Sequence, residues 1–328
     1  DGREAAPALE VYSPQAWLTL CGRRSSRTRV SWRDRRGDVA EVWDCRLLDA
    51  WLKAAAWVAQ RRIEPCLEPG LELVARGRLT ESAVSVGLCV TSFNRLWQLR
   101  RALPLNLLHS WVHRKWVKVH VVDFGSTDGS LDFLLRRCRA AIDAGLLRVY
   151  LAKGLPYWHA STAKNTAHAV ASEDILVNVD GDNLVGPGFA ADVARQFTQE
   201  GYTVLQYEGG EGTCGRIACF RRDFHLLRGY DEDAYPMGAQ DTDLVGRLKR
   251  LPGARYRRIS SRVFSQAIPN SQETKVCMCD PGYGGLRWGR MDTLNKQIFQ
   301  WRRSLGQLQR NLEKPDIGVP AWRVESDA

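Results

Sequence analysis

Apolar positions gather into short runs that each end in a polar loop, the pattern of buried strands feeding a crevice. Residues 84–90 (Val-Ser-Val-Gly-Leu-Cys-Val) alternate and then fill with apolar side chains before Thr91-Ser92-Phe93-Asn94-Arg95. A second run, 116–122, closes on Asp123-Phe124-Gly125-Ser126-Thr127-Asp128-Gly129-Ser130, and a third covers 147–151. A fourth, 175–179, opens onto Asp180-Gly181-Asp182-Asn183. After the first run, Trp97, Leu99, Ala102, Leu103, Leu107 and Leu108 recur at helical spacing, and Pro104 is expected to kink or interrupt that helix. Strand, helix, strand implies a parallel pair. Ser130 is a candidate cap for a helix over 131–144. Loops at the carboxyl ends of such strands form the crevice of an open α/β sheet.

Two carboxylates delivered by one buried strand change the picture. Asp180 and Asp182 are two residues apart, so where the strand breaks into a turn both reach a single hard cation. Oxygen ligands suit Mn²⁺ or Mg²⁺, ions that keep positions open for substrate phosphates. An isolated Asp-x-Asp also reads as a solvated turn. A further acidic segment, Gly229-Tyr230-Asp231-Glu232, precedes Met237-Gly238-Ala239-Gln240-Asp241-Thr242-Asp243-Leu244.

Taken in order, Val-Thr-Ser-Phe-Asn-Arg, Val-Val-Asp-Phe-Gly-Ser-Thr-Asp-Gly-Ser, Asp-Gly-Asp and the Gly229 to Leu244 segment resemble the family 2 glycosyltransferases. The last segment is also similar to the C-terminal region of the β-1,4-galactosyltransferases. The resemblance covers roughly residues 84–248 and implies a GT-A (Rossmann-like) α/β fold with a mixed, mostly parallel sheet flanked by helices. It implies a nucleotide-sugar donor, most simply UDP-linked, and inverting transfer of a hexosyl group to a hydroxyl of a glycan, lipid-linked or other acceptor. By the same resemblance Asp182 is the direct metal ligand and Asp180 belongs to both the metal and the donor site. Thr91, Asn94 and Asp123 fall at the nucleotide, and Lys164, where the family has arginine, falls at the diphosphate. Asp241 is the general base, a role that inverting transfer requires. Asp231, Glu232 and Asp243 fall at the acceptor, although a surface turn or a helix cap explains them as well. Phe124 replaces a family carboxylate and reads either as a stacking surface for the base or as ordinary core. His159 and His168 read as structural. A third metal ligand is expected near residues 270–280, with Cys277, Cys279 and Asp280 unranked.

The chain of 328 residues carries a net charge of +10. Residues 81–265 are expected to form the core, 1–80 an extension packed on it with a helix over 45–62, and 266–328 a basic region ending in a loose tail from Lys314. Seven arginines fall within 23–36, and 245–310 holds fourteen Lys/Arg against three Asp/Glu. Such a field attracts polyanions, so an anionic glycan or lipid-pyrophosphate acceptor fits, and nucleic acid bearing a modified base is an alternative partner. Twelve tryptophans offer stacking surfaces for sugars or bases. Nine scattered cysteines without a Cys-x-x-Cys pair point away from a disulfide framework and toward a reducing, cytoplasmic setting. No run is apolar enough to span a membrane, and an anchor upstream of Asp1 stays compatible with that. A non-catalytic binding protein of the same fold is the alternative from another class. A nucleotidyltransferase is disfavoured because its Gly-rich pyrophosphorylase loop is missing.

Overall fold

The computed structural model describes residues 81–324 apart from 187, 210–211, 262–263, 269, 272–276 and 284–285, together with the backbone of two short strands. These two, β1 (Val30–Arg33) and β2 (Val39–Val42), pair antiparallel. The helix expected over 45–62 and the packing of residues 1–80 lie outside the described residues.

The core is an eight-stranded mixed sheet built from β3 (Val86–Ser92), β4 (Val117–Asp123), β5 (Leu147–Ala152), β6 (Ile175–Asp180), β8 (Val204–Glu208), β9 (Arg216–Phe220), β10 (Tyr256–Ser260) and β12 (Ala321–Arg323). The spatial order is β10-β8-β9-β6-β3-β4-β5-β12. Only β9 and β12 run against the other six. Every residue of β3 is buried, as a central strand covered on both faces requires. Because side chains alternate, Leu88 and Val90 enter one apolar cluster with Leu99, Leu103 and Phe189, while Cys89 enters the other with Ala163, Phe224 and Leu244. Helices α1 (Leu96–Ser110) and α3 (Phe189–Thr198) cover the first face, and α2 (Ala160–Ala169) and α5 (Gln240–Leu248) the second. Short α4 (Arg221–Leu226) follows β9, and α6 (Trp288–Ser304) comes late in the chain.

Register places the chemistry. Thr91 lies opposite Asp180 on β6, and Ser92 opposite Asp123 on β4, so three loops open on one rim. A small second ribbon pairs β7 (Asn183–Leu184) with β11 (Gln266–Ala267) directly after the Asp180-Gly181-Asp182 turn. The expected interruption at Pro104 does not occur. The helix continues through it, with the proline buried in the middle of α1. Nor does Ser130 cap its helix. Gly129 takes that place, and Asp128 before it accepts from Ser130 N at 3.1 Å and from Leu96 N, at the start of α1, at 2.7 Å.

The boundary expected after residue 265 does not divide the structure. Residues beyond it supply β11 and β12 and several ion-pair partners for the core. The loose tail expected from Lys314 is bound instead: Lys314 Nζ meets Glu232 at 2.9 Å, and Val319 N donates to Thr166 Oγ1 at 2.9 Å. Among the described residues none of the six cysteines is in a disulfide, and no helix is long and apolar enough to cross a membrane.

Candidate active site

Buried strand β6 ends at Asp180, and its carboxylate meets two groups from the second face of the sheet. Lys164 Nζ, on α2, lies 3.3 Å from Asp180 Oδ1 and 2.8 Å from Asp241 Oδ1 on α5. Burial opposes the charge of Lys164, but the two carboxylates outweigh it and push the ammonium further into its charged range. Asp180 is held below the ordinary carboxylate range, Lys164 and Asn178 overcoming the effect of burial. Asp241 is raised, by burial first and by the repulsion of Asp180, with Lys164 only partly offsetting both. Gly215, at the start of β9, makes this proximity possible. A Cβ there would sit 2.9 Å from Asp241 Oδ2 and 3.0 Å from Asp180 Oδ2.

Between Asp180 and Asp182 the chain passes close under β3, where a Cβ on Gly181 would approach Thr91 O to 3.0 Å. Asp182 Oδ1 accepts from Asn183 Nδ2 at 2.7 Å. Asn183 Oδ1 in turn accepts from Arg216 at 2.8 Å, and Arg216 also reaches the carbonyls of Phe264 and Gln266. This arginine is wholly enclosed and its pKa is pulled down to about 10 by burial, against the attraction of Asp180 and Asp182. It locks the ribbon that carries Asp182. A charged residue opening the otherwise apolar run Ile217-Ala218-Cys219-Phe220 was the available sequence signal.

Thr91, Lys164, Asp180, Asp182 and Asp241 line one cavity of about 410 Å³. Phe93, Trp158, Met237, Met278 and Trp288 supply its apolar wall. Two further side chains on it, Gln98 and Gln240, each bury an amide atom with no hydrogen-bond partner. Asp180 and Asp182 present hard oxygen donors to this space, a set suited to Mn²⁺ or Mg²⁺. Among the described residues no group of three His, Cys, Asp or Glu could hold a metal ion. Asp280, whose Oδ1 accepts from Gly282 N at 2.7 Å within its own turn, is not among the residues that line the cavity.

Asp123 is fully buried, and Gly125 N and Ser126 N donate to its Oδ1 at 3.0 and 2.8 Å. Burial raises its pKa, against the Ser126 hydroxyl and those two backbone bonds. Asn94 is placed differently from the expectation of a donor contact. Its side chain accepts from Thr127 N at 2.7 Å and its backbone N–H donates to Ser126 Oγ at 2.8 Å, tying the β3 loop to the β4 loop at φ +52. Phe124 is core, edge-on to Trp158 at 6.0 Å, while Phe93 stacks on Trp158 at 6.3 Å. His159 caps α2, accepting from Thr162 N at 3.4 Å through Nδ1 and donating to Ala234 O at 3.0 Å through Nε2. His168 stacks on Phe224 and donates to Lys164 O.

The acceptor carboxylates are corrected by their partners. Asp231 pairs with Arg302 and, at 3.0 Å, with Arg310; Asp243 pairs with Arg247 at 2.7 Å and Arg310 at 3.1 Å. Glu232 Oε1 accepts from Asn165 Nδ2 at 2.6 Å, and Glu232 Oε2 meets Lys314. All three are buried, and none lines the cavity. Their charges hold the C-terminal segment to the core. Asn295 on α6, also fully buried, does similar work on the loop before α5. It accepts from Tyr235 N at 2.7 Å, and its Nδ2 lies 2.8–3.0 Å from the carbonyls of Tyr235, Met237 and Gly238. That loop ends at Ala239, held at φ +60, immediately before Gln240 and Asp241.

No family model and no curated protein matches the chain. Among solved structures it is similar to the mannosyltransferase PcManGT from Pyrobaculum calidifontis in complex with GDP-Man and Mn²⁺, at 20% identity over 69% of this chain and 70% of that one, TM-score 0.46. It is similar to S. aureus TarS 1-349 in complex with UDP-GlcNAc at 14% identity, over 67% and 73% of the two chains, TM-score 0.48. GalNAc-T7 with UDP, GalNAc and Mn²⁺ aligns at 12% identity over 55% of this chain and 43% of its own, TM-score 0.43.

Proposed function

We propose that this chain is a metal-dependent, inverting glycosyltransferase that moves a hexosyl group from a nucleotide sugar, in the first instance UDP-linked, to an acceptor hydroxyl. The observation that carries the reading is the meeting of Asp180, Lys164 and Asp241 on a cavity whose wall also holds Asp182. Asp180 and Asp182 would hold Mn²⁺ or Mg²⁺ while leaving positions for phosphate oxygens. A cation bound there supplies Lewis-acid stabilisation of the negative charge on the departing diphosphate. Asp241, with its raised pKa, is the stronger base of the cluster and takes the proton of the attacking hydroxyl. Lys164 lets the carboxylates stand close together and brings a cation to the diphosphate side of the cavity. Thr91, on the cavity wall, and Asp123 contribute at the nucleotide, Asp123 by ordering the loop after β4 through Gly125 N and Ser126 N. The four ordered motifs that resemble family 2 enzymes support the same reading.

The test is thermal stabilisation by UDP-, GDP-, CMP- and TDP-sugars with and without Mn²⁺, followed by assay of the released nucleotide. Mn²⁺-dependent stabilisation by one nucleotide class, with nucleoside diphosphate released on turnover, is expected, since a ligand bound only to the native state raises apparent stability. Release of pyrophosphate, or stabilisation by none of the donors, would overturn the assignment.

A further inference from the structure

Four large apolar side chains stay in water where the segment after α6 crosses the end of α4. Leu226 is 54% exposed, Trp301 61%, Leu305 54% and Leu312 65%. Hydrogen bonds gather them. Leu305 N, one turn beyond Trp301, donates to Trp301 O at 3.2 Å, and Leu226 O accepts from Gln309 Nε2 at 3.0 Å. Asn311, next to Leu312, donates through Nδ2 to Arg228 O at 2.8 Å. Single exposed apolar residues are ordinary, whereas several that share one face mark a contact surface. Cations border this one. Arg222 stands one turn before Leu226 on α4, and Arg250, just past α5, donates to Arg303 O at the end of α6 at 3.5 Å. Lys249 is beside Arg250, and all four cations are exposed. Against them stand exposed Glu313 and half-buried Asp223, 3.6 Å from Arg222. Helices α5 and α6 begin at the cavity, where Gln240 and Trp288 line it, and they end at this face, about 25 Å away along α6.

We propose that this face seats the protein on an anionic membrane surface. Its partner has to supply negative charge and also take up leucine and tryptophan side chains. A bilayer containing anionic lipids does both, its headgroups meeting the arginines and its outer acyl layer the apolar residues. A nucleic acid or an acidic polysaccharide supplies the charge but no apolar depth for Leu226, Leu305 and Leu312. Trp301 brings a ring with an apolar body and a polar N–H, the combination that suits headgroup depth. Because the face lies at the far end of α6 from the cavity, docking leaves the cavity open, and the inference does not depend on the transferase reading.

Co-sedimentation of the full chain with vesicles tests it, using phosphatidylcholine alone and phosphatidylcholine mixed with phosphatidylglycerol, at low and high salt. Binding to the anionic vesicles at low salt is expected, with weakening as salt rises and little binding to the neutral ones. The double substitution Arg250→Gln with Arg303→Gln is expected to weaken it about 25-fold, roughly fivefold for each cation. Trp301→Ser with Leu305→Ser is expected to weaken it at least about tenfold. Leu226→Ser with Leu312→Ser provides a second apolar pair, so that the outcome does not hang on the folding of one variant. All six positions are exposed, and each pair is expected to melt like wild type. Affinity that survives the charge pair or both apolar pairs would place the contact elsewhere, for instance on the arginines of 23–36, and would overturn the inference. Equal binding to neutral vesicles, or binding to heparin with none to vesicles, would overturn it too.

Discussion

At the residue scale the site is an arrangement of two like charges around one cation. Lys164 is buried, and its removal leaves two carboxylates facing each other, so Lys164→Met is expected to destabilise the fold by about 3–5 kcal/mol, the usual cost of breaking a buried pair. Equilibrium urea unfolding measures it, and a loss well under 1 kcal/mol would show that the pair is solvated. Asp241→Asn keeps the shape but removes the base, and a fall in turnover of roughly 10²–10⁴-fold is expected with donor binding unchanged. Equal loss of donor binding would place Asp241 at the nucleotide instead. Gly215→Ala places a methyl group against both carboxylates. The side chains can swing aside, so folding should survive, while a displacement of about 1 Å costs on the order of 10²-fold in turnover.

At the element scale, helices act on the site through the loops they grip. Asn295 on α6 holds the segment that delivers Gln240 and Asp241, and Gly238 has no room for a side chain beside Asp292, where a Cβ would come within 2.6 Å of its Cα. Replacing Asn295 by Ala leaves several buried backbone groups unpaired, so a loss of about 1–3 kcal/mol is expected. Turnover should fall more than affinity for UDP, since the loop carries the base and not the nucleotide. Parallel losses in both would assign Asn295 to stability alone. Helix α2 carries a pH dependence of its own. Burial lowers His168 from 6.5 to about 3, so the folded state holds it neutral while the unfolded state takes up a proton below 6.5. Its contribution to stability is complete above pH 6.5 and is lost progressively as pH falls from there toward 3. His168→Phe, which keeps a ring against Phe224, should flatten the slope of unfolding free energy between pH 6.5 and 5, and an unchanged slope would refute the assignment.

At the scale of the whole molecule, the basic excess of the C-terminal third is partly an internal structural charge. Arg247 and Arg310 are buried against Asp231 and Asp243, and Arg302 and Lys314 pair with Asp231 and Glu232 nearer the surface, so three of these four charges are balanced within the protein. Deleting residues 305–328 would remove Arg310, Lys314 and the edge strand β12 together. Glu232 would then lose its cation and Asp231 and Asp243 one of their two each; a buried carboxylate left unpaired costs about 3–5 kcal/mol, and a domain has only about 5–15 kcal/mol in total. The truncated chain is therefore expected to be insoluble or unfolded by circular dichroism. A melting temperature within a few degrees of the full chain would show that the segment is dispensable.

Four of the eight strands, β3 to β6, and the delivery of Asp180 and Asp182 to the end of one of them were determined by sequence alone, whereas β8, β9, β10 and β12 were not. Buried β-strands are written as local apolar runs, and a carboxylate directly after such a run can only emerge at the sheet's rim. The convergence of Lys164 and Asp241 on Asp180 was indicated only by resemblance, because 77 residues separate the lysine from Asp241 and no local pattern encodes that contact. Tertiary structure alone decided the rest. Asp231, Glu232 and Asp243 read as exposed acids until Arg302, Arg310 and Lys314 arrive from the end of the chain. Charge and polarity are properties of a residue, but whether a polar group is solvated, paired or left waiting for a ligand depends on neighbours distant in sequence, and folding alone supplies them.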